Sequence, residues 1–424
     1  MPFAITRGRI SQSLPMRHHH AQMGRRRAAS SSAKAPFKAR GCRGLGVPEV
    51  KGGIDRLPFP IPWFRVSQWL GADPVVRLPG WLSRRGGLTA LGQDADMTIV
   101  AITHPTKEHG RFFTDEDLAR LRAVAEVRVL GDLDAAGADA ALAVSDILLS
   151  SWGMPKLDAV FLAKAPRLRA ACYAAGSVKG FVTLESYARG VLVTTAMHAN
   201  AVPVAEVTVA LITLANKTWF PAVAAMRTQR KHVGAQAHAG NYRTRVGLIG
   251  FGAICRIVAE KLRKTDLLVD VYDPYATDAD LAAHGCHRQS DLVQLARECE
   301  VISLHAPNIP ATRHMLAAPF FQAMRDGATF INTARGALVH EPSLIAELQT
   351  GRITAHLDVT DPEPPVANSP FWDLPNVHLS PHLAGSSSGE IRRMGELAID
   401  ECLRVIRGEP LRFPVTEAML ATMA

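Results

Sequence analysis

Apolar residues along this chain fall into short runs separated by stretches with helical spacing, and the alternation starts abruptly at Met97. Met97-Thr-Ile-Val-Ala-Ile-Thr103 reads as a buried strand, since a strand covered on both faces needs an unbroken apolar run. Helical spacing over Asp115–Val124 comes next, then apolar runs at Val127–Leu130 and Asp146–Leu149. A helix over Leu157–Ala165 and strands at Leu168–Tyr173 and Val191–Thr195 complete the first series. The segment from Val202 to Met226 is apolar with few breakers and predicts one long connecting helix. A second series opens at Arg245, with strands at Val246–Ile249, Leu267–Tyr272, Val301–His305, Ala328–Asn332, Ala355–Val359 and Val377–Ser380. Helices are expected between them at Ile254–Leu262, Asp291–Arg297 and Glu341–Thr350, and a closing helix at Gly389–Arg407. Strands alternating with helices predict parallel sheets covered on both sides, an α/β protein of two doubly wound units.

Residues 1–96 lack this order. They carry 16 basic against 5 acidic residues, while the remainder carries 32 against 34. The net charge of +9 therefore belongs to the N-terminal segment, and the body is nearly neutral. Residues 1–48 hold no acid and include His18-His19-His20 and Arg25-Arg26-Arg27. Such composition predicts a disordered basic extension rather than part of the fold. It contains no hydrophobic run of the kind a secretory signal needs, although Arg- and Ser-rich, acid-poor sequence is also that of a transit peptide. With the charge confined there, no nucleic-acid partner is expected of the body. Runs of 18 or more apolar residues are absent, so no membrane partner is expected. The six cysteines have no CxxC spacing, which predicts reduced thiols, no structural metal and a cytoplasmic setting.

The strand Val246–Ile249 runs into Gly250-Phe-Gly252-Ala-Ile-Cys255 and then a helix. That strand-turn-helix context suits a dinucleotide pyrophosphate: one glycine makes the bend, the next admits the phosphates, and the helix N-terminus faces them. Cys255 stands where a third glycine usually lets helix and strand approach. Asp273 follows Gly250 by 23 residues, at the end of the next strand. A carboxylate there accepts from both ribose hydroxyls and repels a 2′-phosphate, which points to NAD over NADP; alternatively it only caps the turn before Pro274.

Further motifs then become recognisable: Ser303-Leu-His305-Ala-Pro307, Ile331-Asn-Thr-Ala-Arg335-Gly336, Leu357-Asp358-Val359, Pro362-Glu363-Pro364 and Leu379-Ser-Pro-His382. With these, the chain from about Met97 to Arg407 resembles the D-isomer-specific 2-hydroxyacid dehydrogenases, and Asn200 with Val204-Ala205-Glu206 matches that family's entry to a connecting helix. The resemblance implies two Rossmann-like domains, the NAD domain (206–383) inserted into a substrate domain (97–205, completed by 384–424). It also implies a homodimer. An NAD(H)-sensing regulatory protein, similar to the family's corepressors, is the alternative.

Interconverting a 2-hydroxy and a 2-oxo acid moves one hydride and one proton. Histidine serves as a proton carrier near neutral pH, and His382 is the candidate. A carboxylate beside it would fix its orientation, and Glu363 in its proline-flanked loop suits that role. A fixed cation must hold the substrate carboxylate, and the guanidinium fork of Arg335 fits it. By resemblance Arg335, Glu363 and His382 are the family's catalytic arginine, glutamate and histidine. The resemblance also implies NAD contacts at Gly250, Gly252, Ala253, Ile254, Asp273, Ala306, Thr333, Ala334, Arg335, Asp358, His382 and Gly385, with Asp358 near the nicotinamide carboxamide. In the substrate domain it implies that the backbone amides of Ser177 and Val178, in the loop Ala175–Gly180, bind the substrate carboxylate.

Overall fold

The structure is a computed structural model in which residues 97–103, 110–130, 133, 137–234 and 240–423 are described. The extension expected over residues 1–96 lies outside the described residues.

Two parallel sheets organise the described chain. The first contains β1 (Ile99–Thr103), β2 (Glu126–Val129), β3 (Ile147–Ser150), β4 (Ala170–Tyr173) and β5 (Leu192–Thr195), in the order β2-β1-β3-β4-β5. Side chains alternate across a strand, so one sheet serves two cores. Val100, Ile102, Ile147, Leu149, Ala170 and Cys172 enter one core with the helices Asp115–Arg122 and Ile391–Arg407. Ala101, Leu148, Ala171 and Tyr173 enter the other with Phe161, Leu162 and Phe181. The C-terminal helix Ile391–Arg407 thus returns to the first sheet, and the second lobe is an insertion between parts of the first.

The second sheet contains β6 (Arg245–Ile249), β7 (Leu268–Tyr272), β8 (Cys286–Arg288), β9 (Val301–Leu304), β10 (Thr329–Asn332), β11 (Thr354–Leu357) and β12 (Val377–Leu379). Its order is β12-β11-β10-β9-β6-β7-β8, all parallel. From β6 the chain winds outward through β7 and β8, then returns to β9 and winds the other way. The reversal lies between β6 and β9, where open α/β sheets leave a ligand crevice at the C-terminal strand ends.

The single helix expected from Val202 to Met226 is instead two, Met197–Asn216 and Trp219–Gln229. The break has a local cause. Thr218 sits in the left-handed region at φ +47, and Gly240 N–H donates to the Asn216 carbonyl at 2.7 Å, capping the first helix from outside. Pro203 lies in the second turn of the first helix. By length and composition Met197–Asn216 is also apolar enough to cross a bilayer. Here it buries Ala205, Ile212 and Ala215 against the second sheet's core.

The second helix is docked through one ring. Phe220 lies 4.6 Å from the His356 ring and 5.0 Å from the His378 ring, and the two imidazoles stack at 4.6 Å. Burial, and secondly the neighbouring His378, pulls His356 down to about 3 from 6.5. Burial lowers His378 as well. The unfolded chain takes up these protons near pH 6.5 while the folded one resists, so unfolding is favoured as acid is added. The stability this neutral pair provides is complete above about pH 6.5 and is lost progressively as pH falls toward about 3. Unfolding free energy measured by denaturant between pH 7 and pH 4.5 should therefore fall less steeply in His356→Leu than in the wild type, by up to about 1.4 kcal/mol per pH unit. Equal slopes in the two proteins would contradict the buried neutral stack.

Candidate active site

The crevice between β6 and β9 is built by glycine. Gly250 has φ +90, and a Cβ there would come within 2.7 Å of the Ala306 nitrogen, so only glycine lets the two strand-end loops close. Gly252 precedes the helix Ala253–Leu262, and a Cβ on it would meet nothing within 4 Å. That open space in front of a helix N-terminus, beside the free backbone N–H groups of Ala253 and Ile254, fits a pyrophosphate. Cys255 is fully buried and packs with Val258 and Val246, taking the place of the usual glycine without holding the helix off.

Asp273 performs the capping role and faces the glycine turn as well. Its Oδ1 accepts from Tyr275 N–H at 2.7 Å and Ala276 N–H at 3.0 Å, while Oδ2 accepts from Phe251 N–H at 2.6 Å. It is the residue that would meet the ribose hydroxyls. His305 is partly buried beside this crevice, and its buried Nε2 has no hydrogen-bond partner. Burial lowers it to about 4, so the ring is neutral at physiological pH.

At the other strand ends, β10 and β11 carry the candidate chemistry. Asn332 closes the loop after β10: Ala334 N–H donates to its Oδ1 at 3.0 Å, and its Nδ2 donates to the Arg335 carbonyl at 3.1 Å. Thr333 is anchored to the connecting helix by a 3.1 Å contact between its hydroxyl and that of Thr208. Arg335 donates one N–H to the Ala334 carbonyl at 2.6 Å, leaving the rest of its fork for a ligand. Gly336 then lies so close to the next loop that a Cβ would overlap the Thr360 carbonyl. This backbone approach brings the Arg335 loop against the loop that carries Glu363.

His382 follows β12 with φ +54, an uncommon conformation for a side chain other than glycine and one often met at functional sites. Its Nδ1 is 2.8 Å from Glu363 Oε1. The conformation is held by Asp358. That buried carboxylate accepts from Ser380 Oγ at 2.5 Å, Leu383 N–H at 2.8 Å and Ala384 N–H at 2.9 Å. His382 N–H also donates to the Asp358 carbonyl at 3.0 Å. Asp358, read from sequence as a cofactor contact, is thus the anchor of the histidine loop.

Ser177 and Val178 lie in the other lobe. The Val178 side chain is fully buried among Tyr173, Phe181 and Val182, so the larger residue fills core and not the space above the loop. Asn200 ties this loop to the chain that returns to the same lobe after His382. Its Oδ1 accepts from Ser386 N–H at 2.8 Å, just past His382 and Gly385. Its Nδ2 is the nearest neighbour of a Cβ built on Gly176, at 3.8 Å. Asn332 and Ser380 were not singled out by sequence reasoning, yet both organise the site. An amide side chain at a strand end before a turn is the signal available for Asn332.

Residues 209–384 match the family described as D-isomer specific 2-hydroxyacid dehydrogenase, NAD binding domain. A D-3-phosphoglycerate dehydrogenase of Methanocaldococcus jannaschii is 27% identical over 318 residues, which are 74% of this chain and 58% of that one. A hydroxypyruvate reductase of Thermotoga maritima is 35% identical over 35% of this chain and 49% of its own. The solved structure of a phosphoglycerate oxidoreductase from Rhizobium etli superposes with a TM-score of 0.63 at 25% identity, over 75% of this chain and 98% of that one. The chain spans about half the length of the curated relatives it matches. Residues 209–384 belong to the NAD-binding domain of the D-isomer specific 2-hydroxyacid dehydrogenase family, and the cofactor is NAD.

Gly336→Ala should abolish the fit between the two loops. The expected outcome is a loss of at least 1 kcal/mol in unfolding free energy, as for other overpacked sites. NADH binding, measured by fluorescence titration, should weaken less than the affinity for a substrate carboxylate, because the glycine turn is remote from it. An Ala variant of wild-type stability would contradict the close approach.

Proposed function

We propose that this protein interconverts a 2-oxo acid and the corresponding D-2-hydroxy acid. The observation that carries the reading is the 2.8 Å pair between His382 Nδ1 and Glu363 Oε1, on a loop packed against the one that presents Arg335. Bound NADH supplies the hydride. Arg335 binds the substrate carboxylate through a charge-assisted fork and orients the carbonyl. Glu363 engages Nδ1 and so assigns the proton transfer to Nε2 of His382, which donates to the carbonyl oxygen during reduction and accepts from the hydroxyl during oxidation. Glu363 also balances the imidazolium charge. The backbone amides of Ser177 and Val178 support the carboxylate from the other lobe. The relatives named D-3-phosphoglycerate dehydrogenase and hydroxypyruvate reductase support the 2-oxo/2-hydroxy acid pair as the substrate class.

The protein is further proposed to act as a homodimer. Val207, Trp219, Val223 and Met226 are exposed along the connecting helices, an apolar surface that a second copy would cover. Sedimentation at micromolar concentration should give the dimer mass, and Met226→Asp should give the monomer; a wild-type monomer would refute this part.

The enzymatic reading is tested with the full-length protein, NADH and a panel of 2-oxo acids. At least one acid should be turned over. His382→Ala should lower kcat by about 100-fold to 10,000-fold, the range for losing a positioned general acid, while leaving NADH binding within a few-fold. Arg335→Ala should mainly lower kcat/KM. Saturable NADH binding without turnover of any acid would overturn the reading.

A further inference from the structure

An exposed tryptophan stands on the rim of the substrate-lobe sheet. Trp152 follows β3 by two residues and is 47% exposed. It is held rigidly. Met154 N–H donates to the Ser151 carbonyl at 3.2 Å, and Gly153 takes φ +86, so Ser151–Met154 is a tight turn with glycine at its left-handed position. The Thr103 hydroxyl reaches Met154 Sδ at 3.7 Å, tying the turn to the end of β1. One edge of the indole is fixed by Phe112, whose ring centroid lies 5.3 Å away at 74°. Phe112 is itself fully buried, and its carbonyl packs so tightly on Gly395 that a Cβ there would overlap it. A large ring is therefore displayed with one side supported and the other open.

Topology puts that ring on the active-site rim. β1 and β3 are neighbours, and the chain reverses its winding between them, so this is the crevice position of the first sheet. Ser150 pairs with Tyr173, and Ala174 N–H donates to the Ser150 carbonyl at 2.7 Å, so the Trp152 turn adjoins the start of the Ala175–Gly180 loop. That loop meets Asn200, which holds Ser386 beyond His382. Gly395, under Phe112, lies on the helix that follows the His382 loop after one short turn.

We propose that Trp152 is the wall against which the side chain of the 2-oxo acid packs, and that it selects acids with a large apolar or aromatic substituent at C3. The inference rests on the dehydrogenase reading and deepens it. The indole face carries the negative pole of its quadrupole, so it stacks well on hydrocarbon or aromatic groups and poorly on an anionic tail. The Val178 side chain is buried in the core, so it does not itself occupy the outer side of the loop.

Two measurements separate this proposal from the reading beneath it. The first is kcat/KM with NADH for phenylpyruvate, glyoxylate and 3-phosphohydroxypyruvate, in wild type, Trp152→Phe and Trp152→Ala. Phenylpyruvate should be the best of the three in wild type. Trp152→Ala should lower its kcat/KM at least tenfold through KM, change glyoxylate less than twofold, and be largely rescued by Trp152→Phe. The second is calorimetric titration of phenylpyruvate into the NAD⁺-loaded protein, where no hydride is available and no turnover occurs. Its Kd should rise at least tenfold in Trp152→Ala. Binding that depends on Trp152 without turnover by wild type would keep the wall and refute the dehydrogenase reading. Turnover that Trp152→Ala lowers equally for every acid, or wild-type preference for the phosphorylated acid, would overturn the wall.

Discussion

The candidate site depends on one buried carboxylate. Asp358 lies at the end of β11 with its N–H on the Asn332 carbonyl of β10, its carbonyl accepting from His382, and its oxygens accepting from Ser380, Leu383 and Ala384 beyond β12. A lone buried charge is strongly unfavourable, and a buried charge with this many donors is not. The energy that would otherwise be lost by burying the acid is recovered only if the loop folds back over it. Folding back gives His382 its left-handed backbone and aims its ring at Glu363. The histidine geometry is thus a consequence of satisfying Asp358.

The arginine side is held by shape instead of charge. Gly336 permits the Arg335 loop to touch the Thr360 backbone, and Asn332 closes that loop with its side-chain amide. Two independent constraints, one electrostatic and one steric, therefore converge on a cation, a carboxylate and an imidazole at adjacent strand ends. The glycine crevice at the β6–β9 reversal lies in the same sheet, at the same ends of the strands. A single parallel sheet so presents cofactor and acid/base groups on one rim, while the first sheet offers its own rim through Trp152 and the Ala175–Gly180 loop.

Much of this was legible in the sequence, for a physical reason. Parallel strands are buried on both faces, so the strand Ile99–Thr103 appears as a nearly unbroken apolar run. A glycine turn after a strand and an Arg, Glu, His order are local marks. What was not legible depends on closure between distant segments. Whether Val178 faces core or pocket is decided by Phe181 and Tyr173, and the Gly336 approach by Thr360. The break at Thr218 is stabilised by Gly240, 22 residues on, which no helical periodicity contains. Short elements such as Asp278–Ala283 and Cys286–Arg288 carry too few residues to show a period.

In the proposed reaction, hydride and proton are transferred across the carbonyl of a 2-oxo acid at these residues. The most direct measurement is to supply doubly deuterated [4,4-²H₂]NADH with phenylpyruvate or glyoxylate and to examine the product by NMR and chiral chromatography. The expected product is a 2-hydroxy acid carrying one deuterium at C2, of D configuration for phenyllactate, formed at least about 100-fold more slowly by His382→Ala. NADH that binds yet leaves every acid unlabelled, or an L product, would contradict it.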